Sequence, residues 1–309
     1  MQIKALKIFC DVVCRRSFSR AAEDNGVTQS AASQAVQHLE ERLGVKLIDR
    51  SRRPLVLTPA GRLYYEGCRK IVQEYLALED RTRNGVNEVA GVVRVAAIYS
   101  VGFSHMKRLV ERFGVESPRA QVRIQYEHPR RVHELVESDQ VDLGLVSYPR
   151  STRTIQARRW REEPMVVVCG PFDPLAARGA IQLERLDGLA MVGFDHDLPI
   201  RRAIDRVFGS RGLHVEYAAE FDNIETVKRA IEAGTGPGLL PEPTVRREVA
   251  AGTLVALPLA DEKLVRPLGI ICRRGKVLGK TAQRFMELLD AAARPEPSDH
   301  SGRELSTVG

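Results

Sequence analysis

Five polar side chains, Gln29, Ser30, Ser33, Gln34 and Gln37, fall within nine positions at spacings that a helix places on one side. Amides and hydroxyls on a face nearly free of acid are the groups that hydrogen-bond base edges and phosphate oxygens. Ala32, Val36, Leu39 and Leu43 recur at spacings of four, three and four, so the opposite side is an apolar stripe. Gly26 stands where the helix beginning near Phe18 would end, because glycine takes the left-handed cap conformation without a Cβ clash. Val27 folds back on that helix, and Thr28 is placed to cap the next one with its hydroxyl. The pattern predicts a helix-turn-helix suited to a DNA groove. An ordinary helical hairpin with a solvated polar face is the alternative for this stretch taken alone.

A second group of candidate contacts follows. Val45 to Arg50 and Leu55 to Thr58 read as short strands joined by Ser51-Arg52-Arg53-Pro54, a β-wing. Arg50, Arg52 and Arg53 are placed for phosphate or minor-groove contact, with a solvated charge cluster as the bland alternative. The charge distribution favours contact. Residues 1–58 hold ten basic against six acidic side chains, over half of the chain's net +7 in under a fifth of its 309 residues.

The elements that must position these groups are legible on either side. Ile3, Leu6, Phe9, Cys10 and Val13 mark a supporting amphipathic helix. Thr58-Pro59-Ala60-Gly61 opens another helix, with a capping residue and then Pro at the first position. From Ala60 through Tyr64, Gly67, Ile71, Tyr75 and Leu78 its apolar residues approach a heptad seam lasting to about Val89. A helix that long with little chain beside it predicts self-association. Packing on its own wing domain is the other option.

Past Gly91 the texture becomes alternating strand and helix, an α/β body with a mainly parallel sheet. A second α/β unit is expected to begin near Pro164. The segment after Arg294 is polar and aperiodic, predicting a disordered tail over 294–309. Five scattered cysteines form no CxxC pair, which suits reduced thiols. Cys10 and Cys14 stand four apart, a spacing that fits a shared ligand but more simply two small buried hydrophobes. The N-terminus lacks a signal-peptide pattern and no apolar run reaches membrane-spanning length, so a soluble cytoplasmic protein is expected.

With these elements in place the sequence resembles the LysR-type transcriptional regulators. The resemblance rests on Ser19-Arg20-Ala21-Ala22, Thr28 to Ser33, Leu39 to Val45 and Leu57-Thr58-Pro59-Ala60-Gly61. Weaker stretches continue it, among them Asp142 to Val146 and Gly234 to Pro241. It implies a bacterial, ligand-responsive regulator built as a winged helix-turn-helix (1–58), a linker and dimerisation helix (59–89) and an effector domain (90–293). That domain would have two α/β lobes like periplasmic binding proteins, 90–163 with 268–293 and 164–267. The DNA contacts would be Thr28, Gln29, Ser30, Ser33, Gln34, Gln37, Arg50, Arg52 and Arg53.

One departure matters: where the family often has arginines after the serine, this chain has Gln34, Gln37 and His38. Glutamine reads adenine whereas arginine reads guanine, so an A·T-leaning half-site is expected.

Between such lobes, ligands bind where strand ends meet helix starts. The candidates are Ser100, which matches a family position, with Gly102, Arg130, Ser147, Pro199, Ile200, Arg201, Asn223 and Gly236. Helix N-termini and Arg130 and Arg201 make a small anion the expected effector. Asp195, His196 and Asp197 could resemble a metal cluster but read better as a polar loop, and neither metal nor cofactor is expected.

The expected partners are double-stranded promoter DNA at a pseudo-palindromic site, a second copy through the long helix, a tetramer of two such pairs, and RNA polymerase. Effector binding would shift the lobes and thereby the spacing of the DNA-binding domains and the DNA bend. A solute-binding protein with an added N-terminus is disfavoured by the basic head. An α/β enzyme is disfavoured because no GxSxG, P-loop or GxGxxG pattern is present.

Overall fold

In the computed structural model, which describes residues 2–52, 54–84 and 89–293, contacts divide the chain between Met1–Val89 and Ala90–Gly309. The first unit carries helices α1 (Gln2–Arg15), α2 (Phe18–Asp24) and α3 (Gln29–Leu43), the wing strands β1 (Ile48–Asp49) and β2 (Val56–Leu57), and α4 (Pro59–Asn84). Phe9, Val12, Ala21, Ala32, Val36 and Leu47 are wholly buried and form its core, so Ala32, Val36 and Leu39 of the α3 stripe pack inward, whereas Leu43, in the last turn of the helix, stays exposed. Cys10 and Cys68 join that core as small hydrophobes, and burial pushes the Cys10 thiol far up. The antiparallel wing pairs Ile48 with Leu57 and Asp49 with Val56.

The wing is fastened from both sides. Thr58 Oγ1 donates to the Lys46 carbonyl (2.7 Å) and accepts from the Gly61 amide (2.9 Å), capping α4. A Cβ at Gly61 would lie 1.9 Å from the Leu47 carbonyl oxygen, so only glycine lets α4 start against the wing. The expected single seam along α4 divides into two faces. Tyr64, Cys68 and Val72 turn inward, with the Tyr64 ring 5.7 Å from Phe9, while Leu63, Ile71, Tyr75 and Leu78 stay exposed. The helix is broad enough to serve α1 with one face and still present the other. Residues 85–88, over which the helix was expected to continue, and the tail 294–309 lie outside the described residues.

The second unit contains β3 (Gly91–Ile98), α5 (Tyr99–Val101), a π-helical turn at Gly102–Met106, α6 (Lys107–Glu116), β4 (Ala120–Glu127), α7 (Pro129–Glu137) and β5 (Leu143–Ser147). The chain continues through β6 (Ile155–Cys169), β7 (Ala190–Phe194), α8 (Pro199–Ser210), β8 (Glu216–Phe221), α9 (Ile224–Glu232) and β9 (Gly238–Pro241). It closes with α10 (Arg246–Ala251), β10 (Val255–Pro258), β11 (Val265–Arg273) and α11 (Lys280–Ala293). One sheet runs β10-β6-β11-β5-β3-β4 with β9 also on β6, and β7 pairs β8 separately.

The sheet is mixed, not mainly parallel. The pairs β3–β4, β3–β5 and β7–β8 are parallel, as helical crossovers require, but β11 is antiparallel to both β5 and β6. A buried apolar run looks alike in either direction, which is why the sequence pattern misled here. Pro164 also proves to lie inside β6. Up to that residue β6 pairs with β11, and from Met165 it pairs with β9 and β10, so one strand serves two lobes. The second lobe has its own core, including Val167, Leu183, Leu186, Met191 and Leu240.

Candidate functional site

The turn before α3 forms as its residues require. Gly26 has φ +60°, the Val27 amide donates back to the Ala22 carbonyl (3.0 Å), and Thr28 Oγ1 accepts from the Ala31 amide (3.2 Å). Gln29, Ser30, Gln34 and Gln37 are exposed along the outer side of α3, and Ser33 is half-buried. Gln29 and Gln34 have no hydrogen-bond partner among the described residues, so their amides are free to meet a ligand, whereas Gln37 Nε2 donates to Glu41 Oε1 (2.9 Å).

Arg50 is held rather than loose. It donates to Ser33 Oγ (3.1 Å) and Glu40 (3.5 Å), and its guanidinium lies 5.2 Å from the Phe18 ring centroid. These contacts fix a cation beside the α3 face. Arg52, paired with Asp49 at 3.3 Å, is largely exposed on the wing, and Arg53 lies outside the described residues.

The carboxylate that organises this corner is Glu40, which the spacing assigned no role. It is buried at 3 % exposure, and Oε1 accepts from the Leu47 (2.8 Å) and Ile48 (3.1 Å) amides. The wing is thus aligned to α3 by charge-assisted hydrogen bonds. An acid interrupting the α3 polar pattern just after Leu39 was the available signal.

In the second unit, a cavity of about 50 Å³ lies between the lobes. Ile98, Tyr99, Ser100, Pro129 and Ser147 line it from one lobe and Phe194, Leu198, Pro199, Ile200, Asp222, Asn223 and Ile224 from the other, with Arg266 on β11. Of the expected residues, Ser100, Ser147, Pro199, Ile200 and Asn223 meet there. Asn223 also caps α9, accepting from the Thr226 amide at 3.0 Å.

Four others do not line the cavity. Arg201 turns to the back of its lobe, where it bonds Asp205 (2.8 Å), the Phe194 carbonyl (2.7 Å) and Glu220, and lies 3.6 Å from the Tyr217 ring centroid. Two positions into a helix, the side chain has rotated by about 200° from Pro199, which explains the miss. Arg130 pairs with Asp197 across the lobes in an exposed ion pair. Gly102 is packed under the Tyr126 ring, which a Cβ would approach to 2.2 Å. Gly236, at φ +146°, lies against the Ala190 carbonyl, where a Cβ would stand 2.4 Å away. Asp195, His196 and Glu220 bring ligand atoms within 4.8 Å of one another, but Glu220 is already committed to Arg201.

Arg266 is the residue that the sequence did not disclose. It is 2 % exposed, and Nη1 donates to Ser100 Oγ (2.9 Å) while Nε donates to Glu163 Oε2 (2.8 Å). Glu163 Oε1 meets His105 Nε2 at 2.5 Å, and His105 Nδ1 faces Arg161 at 3.0 Å. Burial alone would raise the Glu163 carboxyl, but the Arg266 charge and the His105 hydrogen bond hold it below the usual carboxylate range. A cation inside the Val265-Arg266-Pro267-Leu268 strand was the only cue.

The winged helix-turn-helix in one unit and a cleft between two α/β lobes in the other define a class, the ligand-binding DNA regulators. A model for the bacterial regulatory helix-turn-helix protein of the LysR family matches residues 3–62, and one for the LysR substrate binding domain matches 86–294. The chain belongs to the LysR-type transcriptional regulators, a non-enzymatic family of DNA-binding proteins with an effector-binding domain.

It is 29% identical over 295 residues to a RuBisCO operon transcriptional regulator of Allochromatium vinosum, covering 95% of this chain and 97% of that one. It is equally similar, at 29% over 295 residues, to the HTH-type transcriptional regulator YeiE of Escherichia coli K12, with 95% and 98% covered. A cysteine-to-aspartate variant of full-length OxyR from Pseudomonas aeruginosa shares the fold at TM-score 0.76 and 21% identity, with 95% of each chain covered. CbnR solved in complex with its target DNA aligns at TM-score 0.58 and 20% identity, with 95% of this chain and all of that one covered. Among the described residues no helix is long and apolar enough to cross a membrane.

Proposed function

We propose that this regulator acts as a cytoplasmic homodimer, assembling further into a tetramer, whose grip on a pseudo-palindromic promoter is adjusted by a small anionic effector held between the lobes. The observation that carries this reading is the outward row of Gln29, Ser30, Gln34 and Gln37 with the anchored Arg50 beside it. Thr28 to Gln37 would read bases and Arg50, Arg52 and Arg53 the backbone, with glutamines favouring A·T pairs. In this reading 1–58 is the DNA-binding domain, 59–89 the dimerising helix and 90–293 the effector domain.

Leu63, Ile71, Tyr75 and Leu78, exposed on α4, support dimerisation, since an uncovered apolar row on a long helix gains by meeting its copy. Ser100, Ser147, Pro199, Ile200 and Asn223 would surround the effector. Lobe movement would then alter the spacing of paired DNA-binding domains and the contact with RNA polymerase. Footprinting on the promoter of the chain's own gene across a salt series tests the whole. Protected half-sites whose affinity falls steeply with salt support it, and salt-insensitive or absent binding overturns it.

A further inference from the structure

The helix-turn-helix unit has a hollow of its own. A groove of about 300 Å³, against about 50 Å³ between the lobes, opens where the end of α1, the wing and the start of α4 meet. That volume is at the lower end of what small-molecule clefts offer. Val12 and Ile48 are its buried members, while Leu55, Val56 and Leu57 of the wing are only partly covered. Its charged side chains are both cations, Arg16 and Arg62, and no acid lines the groove among the described residues. Both arginines are exposed, and neither has an ion pair or a side-chain hydrogen bond among the described residues. Other arginines of this unit do find carboxylates, Arg15 with Asp24 and Arg52 with Asp49.

Arg16 carries a second, independent signal. Its φ is +48°, in the left-handed region where a Cβ is crowded and glycine is not. The residue follows α1 directly and its amide donates to the Val13 carbonyl (3.4 Å), a closing role that glycine fills without strain. Strain kept at one position is accounted for when the side chain held there has a contact of its own to make.

Unpaired cations beside uncovered carbon fit one kind of molecule, an anion with an apolar tail. We infer that this groove is a ligand site separate from the interlobe cavity, and that it takes an alkyl carboxylate. The carboxylate accepts from the Arg16 and Arg62 guanidiniums, and the tail lies along Ile48, Leu55 and Leu57. The groove is open to solvent, so it sets no upper limit on tail length. Because β2 forms one wall and is tied to β1 by only two residue pairs, a seated ligand steadies the wing that carries Arg52. The site does not depend on which effector the lobes take.

The test is calorimetric titration of the full chain with octanoate, octanol and propionate, joined to amide hydrogen exchange with and without octanoate. Octanoate should bind, with octanol and propionate each at least about tenfold weaker, and exchange at Ile48 and Leu55 to Leu57 should slow. Octanol binding as tightly as octanoate overturns the anion, and propionate doing so overturns the apolar bed. No octanoate binding, or protection confined to residues 90–293 with the wing unchanged, overturns the site. Arg16→Gly removes the guanidinium and the strain together, so this variant should unfold no earlier than the parent while binding octanoate at least about tenfold more weakly. Arg62→Gln, at an exposed position, should show the same loss of binding. Parent-like octanoate affinity in either variant overturns the two-cation site. An amphipathic acidic peptide that binds in place of octanoate, and is lost with Arg16→Gly, overturns the alkyl carboxylate in favour of a protein partner.

Discussion

The α3 face and the interlobe cleft handle polar groups in opposite ways. On α3 the amides of Gln29 and Gln34, proposed here to read base edges, stand exposed with no partner among the described residues. In the cleft the strongest groups are already engaged with one another, Arg266 with Glu163 and Glu163 with His105, at exposures of 2 % and below for the ion pair. A surface that must sample many sequences gains from free groups that water keeps satisfied. A site that must recognise one small molecule gains from charge fixed before the ligand arrives.

The sharpest way to break this contrast is to cut the buried pair. Arg266→Ala or Glu163→Ala should cost about 3–5 kcal/mol in urea unfolding of the effector unit, because either leaves an uncompensated buried charge. A loss below about 1 kcal/mol, the range of surface pairs, would show that the cleft is wetter than its burial indicates. The pH dependence has a defined sign. The Glu163 carboxyl is held low when folded, so its contribution is complete above the ordinary carboxylate value of about 4.3 and is lost as pH falls through the lower folded value.

Next in size are the α3 amides proposed to read bases. Gln34→Ala or Gln37→Ala should cost about 1–3 kcal/mol on the specific site and little on random DNA, as measured by anisotropy on both. Equal losses on the two would remove base reading from this face. Gln37 also tests the contrast itself, since it must first release Glu41.

Thr28→Ala should cost about 1 kcal/mol of stability through the lost cap on α3, read from thermal unfolding of the DNA-binding unit. Arg52→Ala should weaken all DNA sequences alike and lower the salt slope by about 1, with no change in preference. The smallest effect belongs to Arg130→Ala. Its exposed bond to Asp197 is worth about 0–1 kcal/mol, so stability should hardly move.

The two regions also differ in how far the sequence disclosed them. The proposed reading face lies within one helix of fifteen residues, where period, cap and turn glycine all act locally. Glu40 escaped notice because its partners, the Leu47 and Ile48 amides, become visible only once the wing folds back. The cleft is assembled from six separate stretches, and Arg266 meets Glu163 across 103 positions, which no local period encodes. Arg201 shows the converse error, since a favourable place at a helix start says nothing about which way the side chain leaves the axis. Sheet direction was hidden for a similar reason, because burial fixes which residues are apolar and not which way a strand runs.

The pairing of β6 with β11 sets the terms on which the lobes can ever part. Val265 faces Pro164 and Arg266 faces Glu163 at the very level where the chain passes from one lobe to the other, with a register slip between Leu268 and Gly269 just beyond. The two halves are therefore joined by a laced ribbon instead of independent tethers. Swinging one half must wring both strands together, and the Arg266 guanidinium on the cavity wall rides on the axle of that motion.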